Sequence, residues 1–389
     1  MKIAVTRERR PGEARVAATP DSVRKFVSRG ASVSVERGAG TAAAFTDEQY
    51  VAAGATILAD ARDVIAGADV LLKVRAPSPP EISALPAKAI VVGLLDPHFD
   101  RPGLTALAAA KATAFAMELV PRITRAQPMD ALTSQANLAG YRAVIEAAHL
   151  FGRVLPMMTT AAGAVPPAKV FVIGAGVAGL QAIATARRLG AVVTASDVRP
   201  ASKEQVQSLG ARFVAVEDEE FKAVESVGGY AKTMSAAYQA KQVQLLSEHI
   251  RSQDIVITTA LIPGGTAPRL VSGADVAGMR PGSVLVDLAV EQGGNVEGSR
   301  PDEIVVFGGV KVVGGSNMSG QVATDASALY ASNLQAFVGL FLKSEGLRLE
   351  LEDEVLRAAL VTHDGSIMHP PVASTARPLI ETFRKSCAP

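Results

Sequence analysis

Short apolar runs alternate with amphipathic stretches along the N-terminal part of the chain. The runs predict β-strands at Ile3–Val5, Ser32–Glu36, Val70–Val74, Ile90–Leu95 and Thr113–Met117. Helix signals lie between them, because Thr46-Asp-Glu-Gln49 has the form of a capping box and Gly30 and Gly54 lie where helices should end. Strands that alternate with helices predict a parallel sheet covered on both faces.

A long helix and a second alternating region are predicted next. Residues 129–152 carry a helical pattern with few breakers except Gly140, and they lie between the two α/β regions. The second region contains predicted strands at Val170–Ile173, Val192–Ser196, Arg212–Val216, Ile255–Thr259, Val284–Val290 and Val310–Val313. A last helix is predicted from Asp325 to about Lys343.

This order of elements predicts the α/β fold class. We expect two Rossmann-like, doubly wound parallel-sheet domains flanking a cleft. The first domain is expected over residues 1–135 and the second over residues 136–325. A chain of 389 residues is long enough to form two hydrophobic cores.

A glycine-rich turn, Gly174-Ala-Gly176-Val-Ala-Gly179, follows the first strand of the second region. It precedes a predicted helix, Val177–Leu189, and this is the context that a dinucleotide-binding fingerprint requires. In that motif the first glycine permits the tight turn, the second lets a pyrophosphate approach the backbone, and the third lets helix pack on strand. The free N–H groups of the helix N-terminus favour the phosphates. The competing interpretation is a glycine-rich turn that binds no nucleotide.

An acidic residue ends the next predicted strand. Asp197 lies 197 − 174 = 23 positions after the first glycine, close to the ~20 expected for a carboxylate that binds the adenosine ribose hydroxyls. Such a carboxylate repels a 2′-phosphate, so NAD(H) is favoured over NADP(H), although the nearby Arg199 weakens this inference. The predicted cofactor-binding residues of this region are Gly174, Gly176, Val177, Ala178, Gly179, Asp197, Val198, Arg199, Ala260 and Leu261. The last two begin a Pro-Gly-Gly loop that, taken alone, is equally typical of an ordinary turn.

Composition excludes several other classes of protein. A formal net charge of +1 argues against nucleic acid as a partner. The single cysteine, Cys387, cannot form an internal disulfide, which favours a reducing compartment. The N-terminus has no signal-peptide pattern, and the apolar stretch over residues 170–186 is shorter than the ~20 residues that span a bilayer. The widely spaced histidines indicate no metal site.

Several further segments resemble one known family. They are Arg9-Arg-Pro-Gly-Glu-Ala-Arg-Val-Ala, Met117-Glu-Leu-Val-Pro-Arg-Ile-Thr-Arg-Ala-Gln127, Asn137-Leu-Ala-Gly-Tyr-Arg-Ala, Gly228-Gly-Tyr-Ala-Lys, Thr258-Thr-Ala-Leu-Ile-Pro-Gly and Val286-Asp-Leu-Ala-Val-Glu-Gln-Gly-Gly-Asn. With these segments, the chain from Met1 to about Pro371 resembles the NAD(H)-binding component of proton-translocating transhydrogenase.

The resemblance implies an activity and an assembly. In that family hydride passes directly from NADH to NADP⁺ held by a partner subunit, and membrane subunits couple the transfer to proton translocation. The resemblance also implies a homodimer, peripheral on the cytoplasmic face of the membrane, and a first domain completed by residues 326–389.

The resemblance implies further site residues as well. It places Arg122, Ile123, Thr124, Arg125, Gln127, Asp130 and Thr133 near the nicotinamide or the phosphates, and it places Gly229 and Tyr230 in a mobile loop. Arg122, Gln127 and Asp130 are expected to position the nicotinamide without acid or base chemistry. Thr133 stands where the family usually has serine. From spacing alone, Arg122, Arg125 and Asp130 would instead indicate a surface ion-pair network.

Alanine dehydrogenase is a sibling family and supplies the alternative. It shares the pattern around Arg15 and the element Leu71-Leu-Lys73-Val. An amino-acid dehydrogenase needs a positioned acid or base, and this family places a histidine near positions 94 to 96. Here His98 is displaced from that position and follows Pro97. A third hypothesis is an NAD-binding sensor without catalysis.

Overall fold

A computed structural model describes residues 1–222, 235–262, 264–343 and 346–368. These residues form two compact units. Among these residues, the first unit comprises 1–135 together with those from Ser319 to 368, and the second comprises those between 136 and 318.

Before residue 131 the chain alternates strands and helices. The strands are β1 (Lys2–Val5), β2 (Ser32–Glu36), β3 (Thr56–Leu58), β4 (Val70–Arg75), β5 (Ile90–Leu94) and β6 (Thr113–Ala116). The helices are α1 (Pro20–Ser28), α2 (Asp47–Ala52), α3 (Ala61–Ile65), α4 (Pro79–Ser83) and α5 (Arg101–Ala109). The capping box predicted at Thr46 begins α2, where the Thr46 hydroxyl accepts a hydrogen bond from the backbone N–H of Gln49.

The long predicted helix, α6 (Ala131–Leu150), leads into the second unit. The elements that follow are β7 (Met158–Thr160), β8 (Gly163–Val165), β9 (Lys169–Ile173), α7 (Val177–Arg188), β10 (Val192–Ser196), α8 (Ser202–Ser208), β11 (Arg212–Phe213), α9 (Glu219–Lys222), α10 (Ala236–Ile250), β12 (Ile255–Thr258), α11 (Gly273–Ala277), β13 (Val284–Asp287), β14 (Ile304–Phe307) and β15 (Val310–Gly314). The chain then continues as α12 (Ala323–Val338), β16 (Leu342–Lys343), β17 (Gly346–Leu347), α13 (Glu354–Ala359), β18 (Leu360–His363) and β19 (Ser366–Ile367).

The described part of the first unit contains a mainly parallel sheet in the order β19-β18-β6-β5-β4-β1-β2-β3. The strands β1 to β6 pair in parallel, and β18 adds to β6 in the antiparallel direction. Aromatic contacts reinforce this addition, because the ring of Phe115 in β6 lies 5.4 Å from Phe337 and 6.1 Å from Phe341. The C-terminal elements therefore share the hydrophobic core of residues 1–135.

The described part of the second unit contains a sheet in the order β11-β10-β9-β12-β13-β15-β14. All neighbours pair in parallel except β14, which is antiparallel to β15 at the edge. The prediction of two α/β domains with parallel sheets is confirmed. Several details were wrong, since β3, β7, β8 and β14 were not predicted and β11 is shorter than the predicted strand Arg212–Val216. Edge strands are open on one side, so their local sequence is less constrained than that of central strands.

Candidate dinucleotide-binding site

Three strand ends meet where the strand order of the second sheet reverses. β9 lies between β10 and β12, and Gly174, Asp197 and Thr259 directly follow these three strands. In open α/β sheets, ligands bind outside the carboxyl ends of the strands at such a switch point. The fold thus brings the predicted glycine turn, the acidic residue and the start of the Pro-Gly-Gly loop to one edge of one sheet.

The turn after β9 requires glycine at position 174. Gly174 has φ +100°, a left-handed conformation that L side chains rarely adopt. Its carbonyl accepts a hydrogen bond from the Thr259 hydroxyl at 3.0 Å, and a Cβ atom on Gly174 would lie 2.6 Å from the same hydroxyl. The turn is therefore fixed against the end of β12.

The next two glycines of the motif differ in what surrounds them. A Cβ atom on Gly179 would lie 1.8 Å from the carbonyl oxygen of Gly174, so the absence of a side chain lets α7 pack directly on the turn. A Cβ atom on Gly176 would meet nothing within 4 Å. Gly176 therefore leaves open space that a ligand can use, whereas Gly179 serves packing within the protein. Gly140 of α6 has a similar packing role, because a Cβ atom there would lie 2.0 Å from the carbonyl oxygen of Ala178.

The N-terminus of α7 lies beside this open space, because Gly176 is the N-cap residue of the helix. The helix is 12 residues long, and its N-cap residue, Gly176, provides no side-chain hydrogen bond to the first turn. The first N–H groups of a helix have no partner within the helix, and the helix dipole places partial positive charge there. An anion such as a pyrophosphate is the ligand that this geometry favours.

Asp197 lies beside the glycine turn and is buried, with 8% of its surface exposed. Its Oδ2 atom accepts a hydrogen bond of 2.7 Å from the backbone N–H of Ala175. Arg199 pairs with the same carboxylate, with its Nε 2.8 Å from Oδ1 and its Nη2 2.9 Å from Oδ2. The carboxylate thus fixes the turn and is itself held by a neighbouring cation.

Three exposed apolar side chains accompany the strand ends. Val198, Leu261 and Ile262 expose 54%, 47% and 41% of their surfaces. Val198 follows the end of β10, and the other two follow the end of β12. Apolar side chains of this kind suit the flat faces of a base, because a ligand that covers them removes apolar surface from water. Val198 and Leu261 were predicted from the sequence, whereas Ile262 was missed.

A fully buried asparagine holds the loop after β12. The Asn295 side chain accepts a hydrogen bond from the Ala260 N–H at 3.0 Å and donates to the carbonyl groups of Ala260 and Pro268, both at 2.8 Å. Asp287 in turn fixes the segment of Asn295, since its Oδ2 accepts a hydrogen bond from the Val296 N–H at 3.1 Å. Asn295 and Asp287 both lie in a segment that resembles the family, but the sequence indicated no role for them because their partners lie far away along the chain.

The residues predicted around Arg122 lie in the first unit. Thr124–Met129 form a 3₁₀ helix that leads to Asp130. Asp130 accepts hydrogen bonds from the backbone N–H of Thr133 at 2.9 Å and from its hydroxyl at 2.6 Å, so it caps the start of α6. The side chains of Arg122, Gln127 and Thr133 are exposed, and Ile123 is half-buried. This segment therefore presents polar side chains from a backbone that is fixed by the helix cap.

Arg125 has a partner within the first unit. Its guanidinium forms two hydrogen bonds with the carboxylate of Asp353, at 2.7 and 3.1 Å. Asp353 also accepts from the backbone N–H groups of Val355 and Leu356 at the start of α13. Arg125 thus ties the 3₁₀ helix to the C-terminal elements, a contact that its position in the sequence did not indicate.

Glu118 lies just ahead of this segment, in the 3₁₀ helix Met117–Leu119. Its Oε1 accepts a hydrogen bond from the backbone N–H of Asp96. Its Oε2 is enclosed, and no donor of the described residues lies within hydrogen-bonding distance. Burial, reinforced by the charge of Asp96, raises the pKa of Glu118 to about 7.

The raised pKa of Glu118 predicts a pH-dependent stability. The folded state holds a proton between the unfolded pKa near 4.5 and the folded pKa near 7, so stability is highest below 4.5 and falls as the pH rises through 7. Replacing Glu118 with Gln keeps the shape without the charge. We expect E118Q to match the wild type in free energy of unfolding at about pH 4 and to exceed it by at most ~3 kcal/mol at about pH 8. Urea unfolding at both pH values measures this, and an equal difference at both would contradict it.

Two cations shared with the sibling family are buried in ion pairs. Arg15 contacts both carboxylate oxygens of Glu13, at 2.8 and 2.7 Å, and Gln135 at 2.8 Å. Burial opposes ionisation of Glu13, but the hydrogen bonds and charge of Arg15 outweigh it and lower the pKa of Glu13 to about 2. Lys73 is 1% exposed, and its Nζ lies 3.2 Å from Glu81 and 3.3 Å from Glu8. Both cations therefore already have anionic partners within the protein.

Gly229 and Tyr230 lie outside the described residues. Across the parts of the chain that the structure describes, none of the helices combines the length and the apolarity needed to cross a bilayer.

Comparison with known protein families matches nearly the whole chain. Residues 4–139 match the N-terminal domain of the alanine dehydrogenase/PNT family, and residues 143–370 match its C-terminal domain. A solved structure described as transhydrogenase from Sinorhizobium meliloti superposes with a TM-score of 0.86 at 52% identity, covering 94% of this chain and 100% of that one.

Individual relatives include both transhydrogenase subunits and alanine dehydrogenases. An NAD(P) transhydrogenase alpha subunit polypeptide of Rhodospirillum rubrum is 52% identical, covering 95% of this chain and 98% of that protein. The alanine dehydrogenase of Halomonas elongata is 33% identical, covering 96% of each. The chain is thus more similar to this transhydrogenase subunit than to this alanine dehydrogenase. These matches, together with the two parallel sheets and the glycine turn, show that the chain belongs to the alanine dehydrogenase/PNT family.

Proposed function

We propose that this chain is the NAD(H)-binding subunit of a proton-translocating NAD(P) transhydrogenase. The observation that carries the proposal is the turn after β9. A Cβ atom on Gly174 would lie against the Thr259 hydroxyl and one on Gly179 against the Gly174 carbonyl, whereas one on Gly176 would meet nothing within 4 Å. With Asp197 beside it, this is the arrangement that receives the pyrophosphate and ribose of a dinucleotide. The exposed side chains of Val198, Leu261 and Ile262 would flank the bound nucleotide.

The proposed reaction is NADH + NADP⁺ ⇌ NAD⁺ + NADPH. The nicotinamide ring supplies the hydride when it is bound. Because hydride passes between two nicotinamides, the protein needs no acid or base and contributes orientation and exclusion of water. Arg122, Gln127 and Asp130 are the residues proposed to position the ring. The fixed backbone at the start of α6 and the exposed side chains of Arg122 and Gln127 support this role.

The alternative, an alanine-dehydrogenase-like enzyme, is less well supported. The cationic groups that this chain shares with that family, Arg15 and Lys73, are enclosed and paired with Glu13, Glu8 and Glu81. Releasing either cation for a substrate would leave a buried carboxylate without its partner, which is costly. The histidine of that family is also displaced here, to His98.

The proposed partners follow from what this sequence lacks. It has no second glycine fingerprint, so we propose that NADP(H) is held by a partner subunit. A membrane potential acts on a reaction only through charge that moves across the bilayer, so proton translocation is assigned to membrane-embedded subunits. The chain is then a peripheral protein on the cytoplasmic face of the membrane.

Mixing the purified chain with the NADP-binding partner subunit tests the proposal. We expect hydride exchange between NADH and an NADP⁺ analogue only when both proteins are present. Turnover of NAD⁺ and L-alanine by the chain alone would support the alanine dehydrogenase alternative instead. Nucleotide binding without exchange in the complete mixture would favour a sensor.

Replacing Arg122 with Ala is expected to slow hydride transfer more than it weakens NADH binding. A lost orienting contact can cost on the order of 10² in rate, so we expect a 10- to 100-fold slower single-turnover rate with at most about a threefold change in Kd. Arg24, an exposed arginine in α1 paired with Asp21, gives the matched control R24A. If R122A changes only the affinity, Arg122 holds the ground state and does not orient the ring.

We also propose that the protein is a homodimer, and the hairpin β7–β8 supports this. All six of its residues are exposed, and so is the preceding Met157, at 67%. An isolated two-stranded hairpin is at best marginally stable in water, so a covering surface is expected, and we propose a second copy of the chain.

Charged residues in the hairpin are expected to dissociate this dimer. The variant M158K/V165K should elute as a monomer in size-exclusion chromatography with light scattering, because two lysines would be desolvated at the contact. Val192, 49% exposed at the start of β10, gives the control V192K, which should remain dimeric. A wild-type protein that is monomeric at micromolar concentration would contradict the proposal.

A further inference from the structure

The carboxylate of Asp197 carries an unusual number of donors for a residue that is meant to bind a ribose. It receives hydrogen bonds from the backbone N–H of Ala175 at 2.7 Å, the backbone N–H of Arg199 at 2.8 Å, and the Arg199 guanidinium at 2.8 and 2.9 Å. A carboxylate has about four lone-pair positions in total. Four donors therefore match that capacity before any ligand is bound.

One of these donors can yield more easily than the others. The N–H groups of Ala175 and Arg199 belong to the backbone of the glycine turn and of the strand end. The guanidinium lies at the end of a flexible side chain that is 26% exposed, whereas the Asp197 side chain is 6% exposed. A ribose hydroxyl that donates to Asp197 would therefore compete with the guanidinium of Arg199.

The pairing of Asp197 with Arg199 also changes the net charge near a bound 2′-phosphate. An unpaired carboxylate repels the phosphate of NADP(H), which is the basis of NAD preference in this fold. Arg199 brings the net charge of the pair to zero, because its guanidinium stays protonated in proteins. The repulsion between Asp197 and a 2′-phosphate is therefore weaker than that of an unpaired carboxylate.

We infer that Arg199 is a specificity-determining residue that acts through Asp197 and limits the preference for NAD(H) over NADP(H). This inference rests on the proposed function, since it assigns a role within the same nucleotide site. Removing the guanidinium frees Asp197 for the ribose of NADH and restores its full charge against NADPH. The preference of the protein for NADH should therefore increase.

The test compares R199M with a matched control. Methionine keeps much of the length of the side chain and removes its charge and donors. Lys203 of α8 pairs with Glu217 at 2.5 Å, so K203M removes one positive charge nearby without touching Asp197. We expect R199M to raise the ratio Kd(NADPH)/Kd(NADH) by about tenfold, with NADH binding unchanged or tighter, and K203M to leave the ratio within about twofold. Thermal melting confirms that both variants are folded.

Measuring R199M in a D197N protein shows whether the effect of Arg199 depends on the charge of Asp197. In D197N, which retains an acceptor for the Ala175 N–H but no charge, R199M should no longer change the ratio. An equal change in the D197N background would mean that Arg199 contacts the nucleotide independently, and it would overturn the inference. So would a ratio that does not differ between R199M and K203M. If the wild-type chain binds neither nucleotide, the proposed function itself fails, and the inference fails with it.

Discussion

Alanine at Gly179 is expected to destabilise the protein, whereas alanine at Gly176 is expected to leave it folded and to block the nucleotide. The new Cβ atom at position 179 would lie 1.8 Å from the Gly174 carbonyl, so α7 must shift away from the turn. Such overpacking costs about 1 to 3 kcal/mol, and this contact is with backbone that cannot rotate aside. The free energy of unfolding should fall by about 2 to 3 kcal/mol for G179A.

Gly176 gives the matched comparison within the same motif. Its φ of −76° suits alanine, and its Cβ atom would meet nothing in the protein within 4 Å. G176A should therefore change the free energy of unfolding by less than about 1 kcal/mol. The methyl group would project into the space assigned to the pyrophosphate, so Kd for NADH should rise by about 100-fold, or ~2.7 kcal/mol. Denaturant unfolding and NADH fluorescence titration measure the two effects. Normal affinity in a folded G176A would remove the turn from nucleotide binding.

Replacing Asp197 with Ala is the second change with a large expected effect. The variant loses the acceptor for the ribose and the hydrogen bond that fixes the Ala175 N–H, and it leaves Arg199 without its carboxylate. Hydrogen bonds to a charged group contribute about 1.5–3 kcal/mol, so we expect NADH binding to weaken by roughly 10- to 100-fold. NADPH should bind as well as before or better, because repulsion of its 2′-phosphate by the carboxylate is removed.

Asp197→Asn separates the two contributions. Asparagine retains an oxygen for the Ala175 N–H, so the turn should stay in place while the charge is lost. We expect D197N to relax discrimination between the two nucleotides as D197A does, with a smaller loss of NADH affinity. Equilibrium titrations with NADH and NADPH give both constants. If both variants still discriminate between NADH and NADPH, Asp197 does not recognise the ribose.

The sequence predicted those features of the fold that depend on local pattern. Buried central strands such as Val170–Ile173 are apolar without interruption, and the glycine spacing at 174, 176 and 179 is set by one turn. The sequence pattern identifies these elements because neighbouring residues along the chain determine them. The same is true of the capping box at Thr46, which needs only contacts between residues three positions apart.

Features that depend on distant residues were not predictable in this way. Asn295 binds Ala260, Arg125 binds Asp353, and β18 pairs with β6 although the second unit lies between them in the sequence. No local periodicity reports such partners, since they meet only after the chain has folded. The sequence indicated that Arg199 weakens the inference from Asp197, but not that the two side chains pair through two hydrogen bonds. The two residues are near in sequence, but the surrounding turn determines the Arg199 rotamer that forms the pair.

The return of the chain to the first unit has a consequence for biosynthesis. Residues 1–135 leave the ribosome first, yet β18, which completes their sheet, and Phe337 and Phe341, which pack on Phe115, are translated only after the entire second unit. Until then the edge of β6 is unpaired, and an unpaired edge invites association with other chains. The second unit is continuous in sequence over residues 136–318 and can acquire its native structure earlier. A nascent chain that stalls before Ser319 would therefore carry a complete second sheet and an N-terminal segment whose sheet edge is still unpaired.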